Sequence, residues 1–235
     1  MCLTVFFFTL FLFVSCVQSD ADILKKSGYE ADGTGFLEAV ENDDTNAVNI
    51  FLKMPELLNF ADKSGRTVVM LAAGKKDSSM LKKLIKAGAN LKIMDNSEKT
   101  PLHYAAAGNS IENVRILLEN GGDVNLADNY GRDVPNTLLN FGIEENAELF
   151  QMLIEKSNDL ERRDRDKKTL FIIAAEKGFP EYVKILVGRK VSPLPKDFKG
   201  KTAFDYASES YNAGKINEET FALISDYTQR IKDNL

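Results

Sequence analysis

Apolar residues along this chain come in short groups with helical spacing, and polar turn residues separate the groups. The clearest example lies between residues 95 and 127. Its two apolar groups are Leu102, Ala105 and Ala106, and then Ile111, Val114, Leu117 and Leu118. This spacing predicts two amphipathic helices. Neither helix could bury its apolar face alone, so the pattern predicts helix pairs that stack on one another.

Residues at the ends of the two predicted helices support these boundaries. Thr100 can cap the first helix, and Pro101 follows at the first helical position, where a missing N–H costs nothing. Gly108 and Asn109 tolerate the left-handed backbone that ends a helix. Gly121-Gly122 ends the second helix. The unit is therefore a turn, a short helix, a longer helix and a loop.

The unit recurs with a nearly constant period. Aspartates open four copies and threonines follow five residues later, at Asp62, Asp95, Asp164 and Asp197 and at Thr67, Thr100, Thr169 and Thr202. The first two aspartates are 33 residues apart, and so are the last two. Asp128 opens a further, degenerate copy that is longer by three residues, which we place between its helices near 142–146. Such a period is typical of repeat proteins, which usually present a surface rather than a catalytic site.

The clearest copy resembles an ankyrin repeat. Thr100-Pro101-Leu102-His103-Tyr104-Ala105-Ala106 matches the most specific motif of that family, and Gly121-Gly122-Asp123-Val124-Asn125 matches the end of its repeat. The resemblance covers roughly residues 30–210, with a first copy near 35–61 that lacks the turn motif, as expected of a cap. It implies an all-α solenoid of about six repeats, degenerate caps included, with β-turns joining the units.

Four segments follow from these patterns. We predict a signal peptide at 1–19, an N-terminal lead-in at 20–34, an ankyrin repeat domain at 35–213 and a C-terminal capping helix at 214–235. In the last segment we expect Phe221, Ile224 and Ile231 to face inward.

The first nineteen residues are unlike the rest. Residues 3–17 form an uncharged apolar run, shorter than the ~20 residues that span a bilayer. Small residues at Val17-Gln18-Ser19 suit a signal peptidase, so we expect cleavage before Asp20 and entry into the secretory pathway. No Lys or Arg precedes the run, and an uncleaved anchor on an intracellular or membrane-bound adaptor is the alternative. Contact with a membrane is expected only through this segment.

Charge and composition narrow the function further. A net charge of −5 argues against nucleic acid as a general partner. Both cysteines, Cys2 and Cys16, lie in the predicted signal peptide, and His103 is the only histidine, so a zinc site would need carboxylates alone. The ankyrin resemblance instead gives His103 a structural role, in which it joins neighbouring turns together with Thr100. We expect no catalytic residue, cofactor or metal, and a monomer that binds a protein.

The resemblance also implies where a partner would bind, because ankyrin proteins usually use the turn tips and the exposed, concave face of the first helices. Tyr130 and Phe198 lie at predicted tips and could anchor a partner; packing against the adjacent turn is the alternative. A basic row precedes the threonine position of each copy, at Arg66, Lys99, Arg132, Lys168 and Lys201. In a stack this row would steer an acidic segment, or else serve solubility alone. The mixed-charge run 162–168 is interpreted as a solvated turn, with a basic docking tip as the alternative.

Overall fold

The computed structural model describes residues 20–142 and 144–234. The predicted signal peptide at 1–19 lies outside the described residues, as do Ile143 and Leu235. Within the described ranges the regular elements are helices and no β-strand forms; Ala61 and Thr67 make an isolated bridge. None of the helices described is long and apolar enough to cross a membrane.

The helices come in pairs. They are α1 (Gly33–Glu41) and α2 (Thr45–Phe51), α3 (Val68–Ala73) and α4 (Ser79–Lys86), α5 (Pro101–Ala107) and α6 (Ile111–Glu119), α7 (Val134–Phe141) and α8 (Ala147–Lys156), α9 (Leu170–Lys177) and α10 (Pro180–Gly188), and α11 (Ala203–Asn212) and α12 (Glu218–Asp233). Residues 20–26 are also helical, and a 3-10 turn covers Pro55–Leu57.

Each first helix after α1 begins at the predicted cap position. Thr67, Thr100, Thr169 and Thr202 have extended backbone and precede α3, α5, α9 and α11. The hydroxyls of Thr169 and Thr202 accept hydrogen bonds from Ile172 N–H and Asp205 N–H, which satisfies helix N–H groups that have no partner within the helix. In the copy opened by Asp128, Asp133 takes the same role, and its Oδ1 accepts a hydrogen bond from Asn136 N–H at 3.0 Å. One cap position thus fixes where each helix pair begins.

The first helices stack in a row, with each of α1, α3, α5, α7, α9 and α11 packed on the next. Behind this row, α8 packs against α6 and α10, and α10 packs against α12. Large fully buried side chains lie along the stack, among them Phe36, Leu81, Leu117, Phe150 and Tyr182. The core is therefore a strip that runs the length of the stack, and the predicted all-α architecture of stacked helix pairs is confirmed.

Buried polar side chains join neighbouring copies. The Asn113 amide on α6 donates to the carbonyl oxygens of Ala73 at 3.1 Å and of Lys75 at 2.7 Å, at the end of α3. The Ser210 hydroxyl on α11 donates to Ala175 O at 2.9 Å, on α9. These bonds occupy carbonyls that helix ends leave open, so they fix the spacing between adjacent copies.

The Asp128 copy departs from its neighbours where the sequence predicts. Helix α7 ends at Phe141 and α8 begins at Ala147, so the extra residues lie between the two helices. The Asp133 side chain is almost fully buried, and Arg162 Nε lies 3.3 Å from its Oδ2. Burial raises the pKa of Asp133, while the Asn136 hydrogen bonds and the Arg162 charge oppose that rise.

Candidate functional site

The aspartate that opens each copy organises a rigid turn. In the Asp128 turn, Oδ1 accepts hydrogen bonds from Tyr130 N–H at 2.8 Å and Arg132 N–H at 3.0 Å. The Asp128 N–H in turn donates to Arg132 O at 2.9 Å. The Asp62, Asp95 and Asp197 turns repeat this set of bonds. A short carboxylate that bonds the backbone two and four residues on explains why aspartate marks the period.

The five turns are hydrogen-bonded to one another in sequence. Four backbone bonds of 2.9 Å link them, from Asn96 N–H to Ser64 O, Asn129 N–H to Ser97 O, Arg165 N–H to Tyr130 O and Phe198 N–H to Asp166 O. The turn tips therefore form one continuous edge of the molecule. Any side chain that recurs at the same turn position is repeated along that edge.

His103 links the Asp95 copy to the turn opened by Asp128. Its side chain is fully buried, and Nε2 lies 3.4 Å from Arg132 O in the next turn. Because a carbonyl can only accept, Nε2 carries the proton, and Nδ1 accepts from Thr100 N–H at 3.1 Å. Burial lowers the pKa of His103. This geometry agrees with the scaffold role that the resemblance implies.

Four cations of the predicted basic row pair with carboxylates of the chain itself. Arg66 Nε lies 2.8 Å from Asp62 Oδ2, and Arg132 Nη2 lies 2.7 Å from Asp128 Oδ2. Lys168 pairs with Glu176, and Lys201 with Glu209. Among the described residues, Lys99 makes no ion pair. The row is continuous in position, but most of its charge is neutralised locally.

The pair at the centre of the row is the most buried. The Arg132 side chain is 14% exposed and that of Asp128 is fully buried. Burial acts to raise the pKa of Asp128, but hydrogen bonds from the Arg132 side chain and from the Arg132 and Tyr130 N–H groups hold that pKa below its ordinary value. Arg132 is therefore held in one orientation by a fixed negative charge.

Cations and aromatic rings alternate at the middle of this edge. The Arg132 guanidinium carbon lies 4.5 Å from the centroid of the Tyr130 ring and 4.7 Å from that of Phe141. Lys99 Nζ lies 5.1 Å from the Phe141 centroid, and the Arg165 guanidinium carbon lies 5.7 Å from the Tyr130 centroid. All four distances are within the range of cation–π attraction. We call these five residues, Lys99, Phe141, Arg132, Tyr130 and Arg165, the ring–cation ladder.

The ladder remains open to solvent. Tyr130 is 53% exposed and Phe141 is 43% exposed. A cleft of about 170 Å³ lies beside it, lined by Tyr130, Arg132, Arg165, Asn140 and Lys168 and by the carboxylates Asp164 and Asp166. This volume suits a side chain rather than a drug-sized molecule. The arrangement can hold a protruding side chain.

The end of the edge near the Asp197 turn has a second aromatic group. Lys168 Nζ and Lys201 Nζ lie 5.2 Å and 5.1 Å from the Tyr206 ring centroid. The Tyr206 hydroxyl donates to Asp197 Oδ2 at 2.7 Å, and burial, followed by this bond, raises the pKa of Tyr206. Phe198 is 59% exposed at its turn tip. Tyr206 is buried and belongs to the scaffold, whereas the Phe198 ring is available at the surface.

A larger apolar cleft lies away from these turn tips. It has a volume of about 410 Å³ and is lined mainly by Leu91, Met94, Leu102, Leu117 and Leu126. Met94 is 41% exposed. In the described part of the chain, no group of three His, Cys, Asp or Glu side chains could hold a metal ion.

The structure groups the seven predicted residues unevenly. Lys99, Tyr130 and Arg132 meet in the ladder, Lys168 and Lys201 meet at Tyr206, and Arg66 and Phe198 lie apart from both groups. Sequence reasoning missed Phe141 and the stacking of Arg165 on Tyr130. Phe141 had a usable signal, since it lies eight residues after its cap, where the other copies have Lys75, Gly108, Lys177 and Ser210.

Comparison with known proteins gives consistent matches. A family model of ankyrin repeats (three copies) matches residues 36–128 and 139–232. The nuclear factor NF-kappa-B p105 subunit of Gallus gallus is 28% identical over 166 residues, which are 68% of this chain and 17% of that protein.

Two further relatives show the same partial coverage. Protein phosphatase 1 regulatory subunit 12A of Rattus norvegicus is 33% identical over 110 residues, 47% of this chain and 10% of that protein. The putative ankyrin repeat protein FPV034 of fowlpox virus (strain NVSL) is 29% identical over 124 residues, 52% of this chain and 28% of that protein. The chain thus spans less than a third of the length of each of these three relatives.

Proposed function

The chain belongs to the ankyrin repeat family, and from this premise we propose that it is a non-catalytic monomer that binds a partner protein at the centre of its turn edge. Ankyrin repeats form protein–protein interaction modules, so the general role follows from the family. The location of the contact, the chemistry of the partner and the monomeric state are our proposals.

The observation that carries the proposal is the exposure of two large rings on a rigid support. Tyr130 and Phe141 are 53% and 43% exposed, and Arg132 lies against both. Aromatic and arginine side chains provide much of the binding energy of protein interfaces. Arg132 is fixed by Asp128, so little side-chain freedom is lost when a partner docks. The central copy therefore provides a preorganised contact surface.

The remaining candidates flank this centre. Phe198 extends the apolar contact toward the Asp197 turn, and Arg66, Lys168 and Lys201 extend the positive edge in both directions. Since Arg66, Lys168 and Lys201 are paired with carboxylates, we assign them a smaller contribution than Lys99.

Affinity capture with matched variants tests the proposal. The full chain is used as bait beside Y130A/F141A, which removes both ladder rings. The control is I23A/M94A, which removes two apolar side chains of similar exposure, 47% and 41%, outside the ladder. We expect a protein captured by the wild type to bind Y130A/F141A at least about tenfold more weakly and to bind I23A/M94A normally.

Two results would reject this location. Equal capture by Y130A/F141A would show that the ladder rings do not contact the partner. Loss of capture by I23A/M94A alone would move the contact to the lead-in helix or to the apolar cleft at Met94. Circular dichroism of all three proteins checks that each variant is folded.

We also propose that the chain enters the secretory pathway. The proposal rests on the uncharged apolar run at 3–17 and the small residues at 17–19. Amino-terminal sequencing of the native protein tests it. A chain that starts at Asp20 supports the proposal, and a chain that retains residues 1–19 supports the anchored adaptor instead.

A further inference from the structure

We propose that the ring–cation ladder binds an acidic segment of the partner protein, in which carboxylates flank an apolar side chain. The inference rests on the proposed function and adds the chemistry of the ligand. In this arrangement the apolar side chain packs on Phe141 and Tyr130, and the carboxylates pair with Lys99 and Arg165 at the two ends of the ladder.

The charges of the ladder indicate the sign of the charge on the partner segment. Of its three cations, Arg132 is neutralised by Asp128 at 2.7 Å. Within the described residues, neither Lys99 nor Arg165 makes an ion pair, and both instead lie against rings. In the described part of the chain, the cations at the two ends of the ladder therefore have no carboxylate in ion-pair contact, although Asp164 and Asp166 line the neighbouring cleft. Charge complementarity favours an acidic ligand and repels a basic one.

The exposed rings of the ladder indicate that the partner segment carries an apolar side chain. Each is close to half exposed, and each has cations that hold it in place. An exposed ring of this kind loses little freedom on binding and can bury apolar area under a Leu, Ile or Phe side chain. A purely acidic segment would leave this area in water. The surface therefore fits alternating acidic and apolar side chains better than a run of acids.

Single-stranded RNA is the competing ligand, because phosphates pair with cations and bases stack on rings. Two features of the charge distribution disfavour RNA. The net charge is −5, and most of the basic row is already paired with carboxylates. Within the described residues, Lys99 and Arg165 are the two cations of the ladder that make no ion pair. A groove that binds single-stranded nucleic acid instead places many cations along the phosphate backbone.

A random peptide display library, selected on the full chain, tests the inference without knowledge of the partner. Selected peptides are then synthesised with a fluorescent label, together with versions in which Glu and Asp are replaced by Gln and Asn. Binding is measured by fluorescence anisotropy to the wild type, K99E/R165E, K86E/K156E and Y130A/F141A. The K86E/K156E control changes net charge by the same amount at two exposed lysines outside the ladder. A labelled single-stranded RNA is titrated in parallel.

We expect the selected peptides to be rich in Asp and Glu around one apolar residue. K99E/R165E should bind them about tenfold more weakly, K86E/K156E should bind them as the wild type does, and the Gln/Asn peptides should lose a similar factor. The decrease in peptide affinity from low to high salt should be smaller for K99E/R165E than for the wild type.

Several outcomes overturn the inference. Selected peptides without acidic residues, no selection of peptides at all, or tighter binding of the RNA would each reject an acidic protein segment. Unchanged affinity in K99E/R165E would reject the ladder ends. If non-acidic peptides are selected and lose affinity in Y130A/F141A, the proposed function stands and only the acidic chemistry is rejected. If selected peptides bind Y130A/F141A normally, the proposed binding surface fails as well.

Discussion

The Arg132 guanidinium carbon lies 4.7 Å from the centre of the Phe141 ring, which joins a turn tip to the end of helix α7. Arg132 is held by Asp128, and Phe141 is 43% exposed. A paired and mostly buried cation thus supports an exposed ring. This contact explains how the irregular copy in the middle of the stack can present the proposed binding surface and still keep the regular turn architecture.

His103 should stabilise the junction between the Asp95 and Asp128 turns. In H103N the shorter side chain can still bond near Thr100, as the Asn136 side-chain amide does when it donates to Asp133 Oδ1, but it cannot reach Arg132 O. We expect a loss of about 0.5–1.5 kcal/mol in the free energy of unfolding, because Arg132 O loses one of its two hydrogen-bond donors and keeps the Asp128 N–H. Urea unfolding at neutral pH measures it. A stability equal to that of the wild type would show that the His103 bond to the next turn contributes nothing.

The same variant should alter the pH dependence of stability. Burial lowers the pKa of His103 below its ordinary value of 6.5, so the unfolded chain binds more protons once the pH falls below that value. The contribution of neutral His103 is complete above pH 6.5 and declines as the pH falls toward the folded-state pKa. Urea unfolding at pH 7.5 and 5.5 should show a larger decrease on acidification in the wild type than in H103N. An equal decrease in both proteins would argue against a depressed pKa.

The buried Asp133 carboxylate should depend on the Arg162 cation for its stabilisation. In R162A the carboxylate is almost fully buried without its cation, and we expect a loss of about 1–3 kcal/mol. D133T/R162A places at this cap the threonine that four other copies have, and it should recover most of that stability. The three free energies are compared by urea unfolding. A double variant as unstable as R162A would mean that the loss arises from the packing of the arginine stem instead.

Asn113 should couple the Asp62 and Asp95 copies. Its amide donates to three carbonyls at the end of α3, so N113A should cost about 1–3 kcal/mol and should increase hydrogen exchange in α3 and α4. Asn120 provides the matched control, because its amide donates within its own helix to Ile116 O at 2.8 Å. Comparable exchange in N113A and N120A would contradict a role in joining copies.

Most of the fold could be predicted from sequence because its signals are local. Asp128 bonds backbone groups two and four residues away, and Thr100 caps the helix that follows it, so spacing alone indicates both. His103 was identified as scaffold for a similar reason, through the family motif that includes Thr100. These interactions repeat with the period, and the period is visible in the amino-acid sequence.

The candidate site was only partly predictable because its contacts join three copies. Lys99, Tyr130 and Arg132 were chosen from their turn positions, but Phe141 was not, since its ring meets them only in the folded stack. The ion pairs that neutralise Lys168 and Lys201 were also missed. Glu176 and Glu209 lie eight residues after their partners. Each lysine lies in a turn and each glutamate on the helix that follows, so the two side chains meet only because of how the chain bends where the helix begins.

Photo-crosslinking from position 141 shows directly whether a partner protein contacts the ladder. A photoreactive phenylalanine analogue is placed at position 141 in one protein and at position 60 in another, since Phe60 is also partly exposed, at 37%, and lies outside the ladder. Both proteins are irradiated in extract from the native source. We expect one partner protein to crosslink from position 141 and an excess of the unlabelled wild type to remove the crosslink, whereas position 60 should give none. A partner that crosslinks from position 60 and not from position 141 would show that the ladder is not the contact surface.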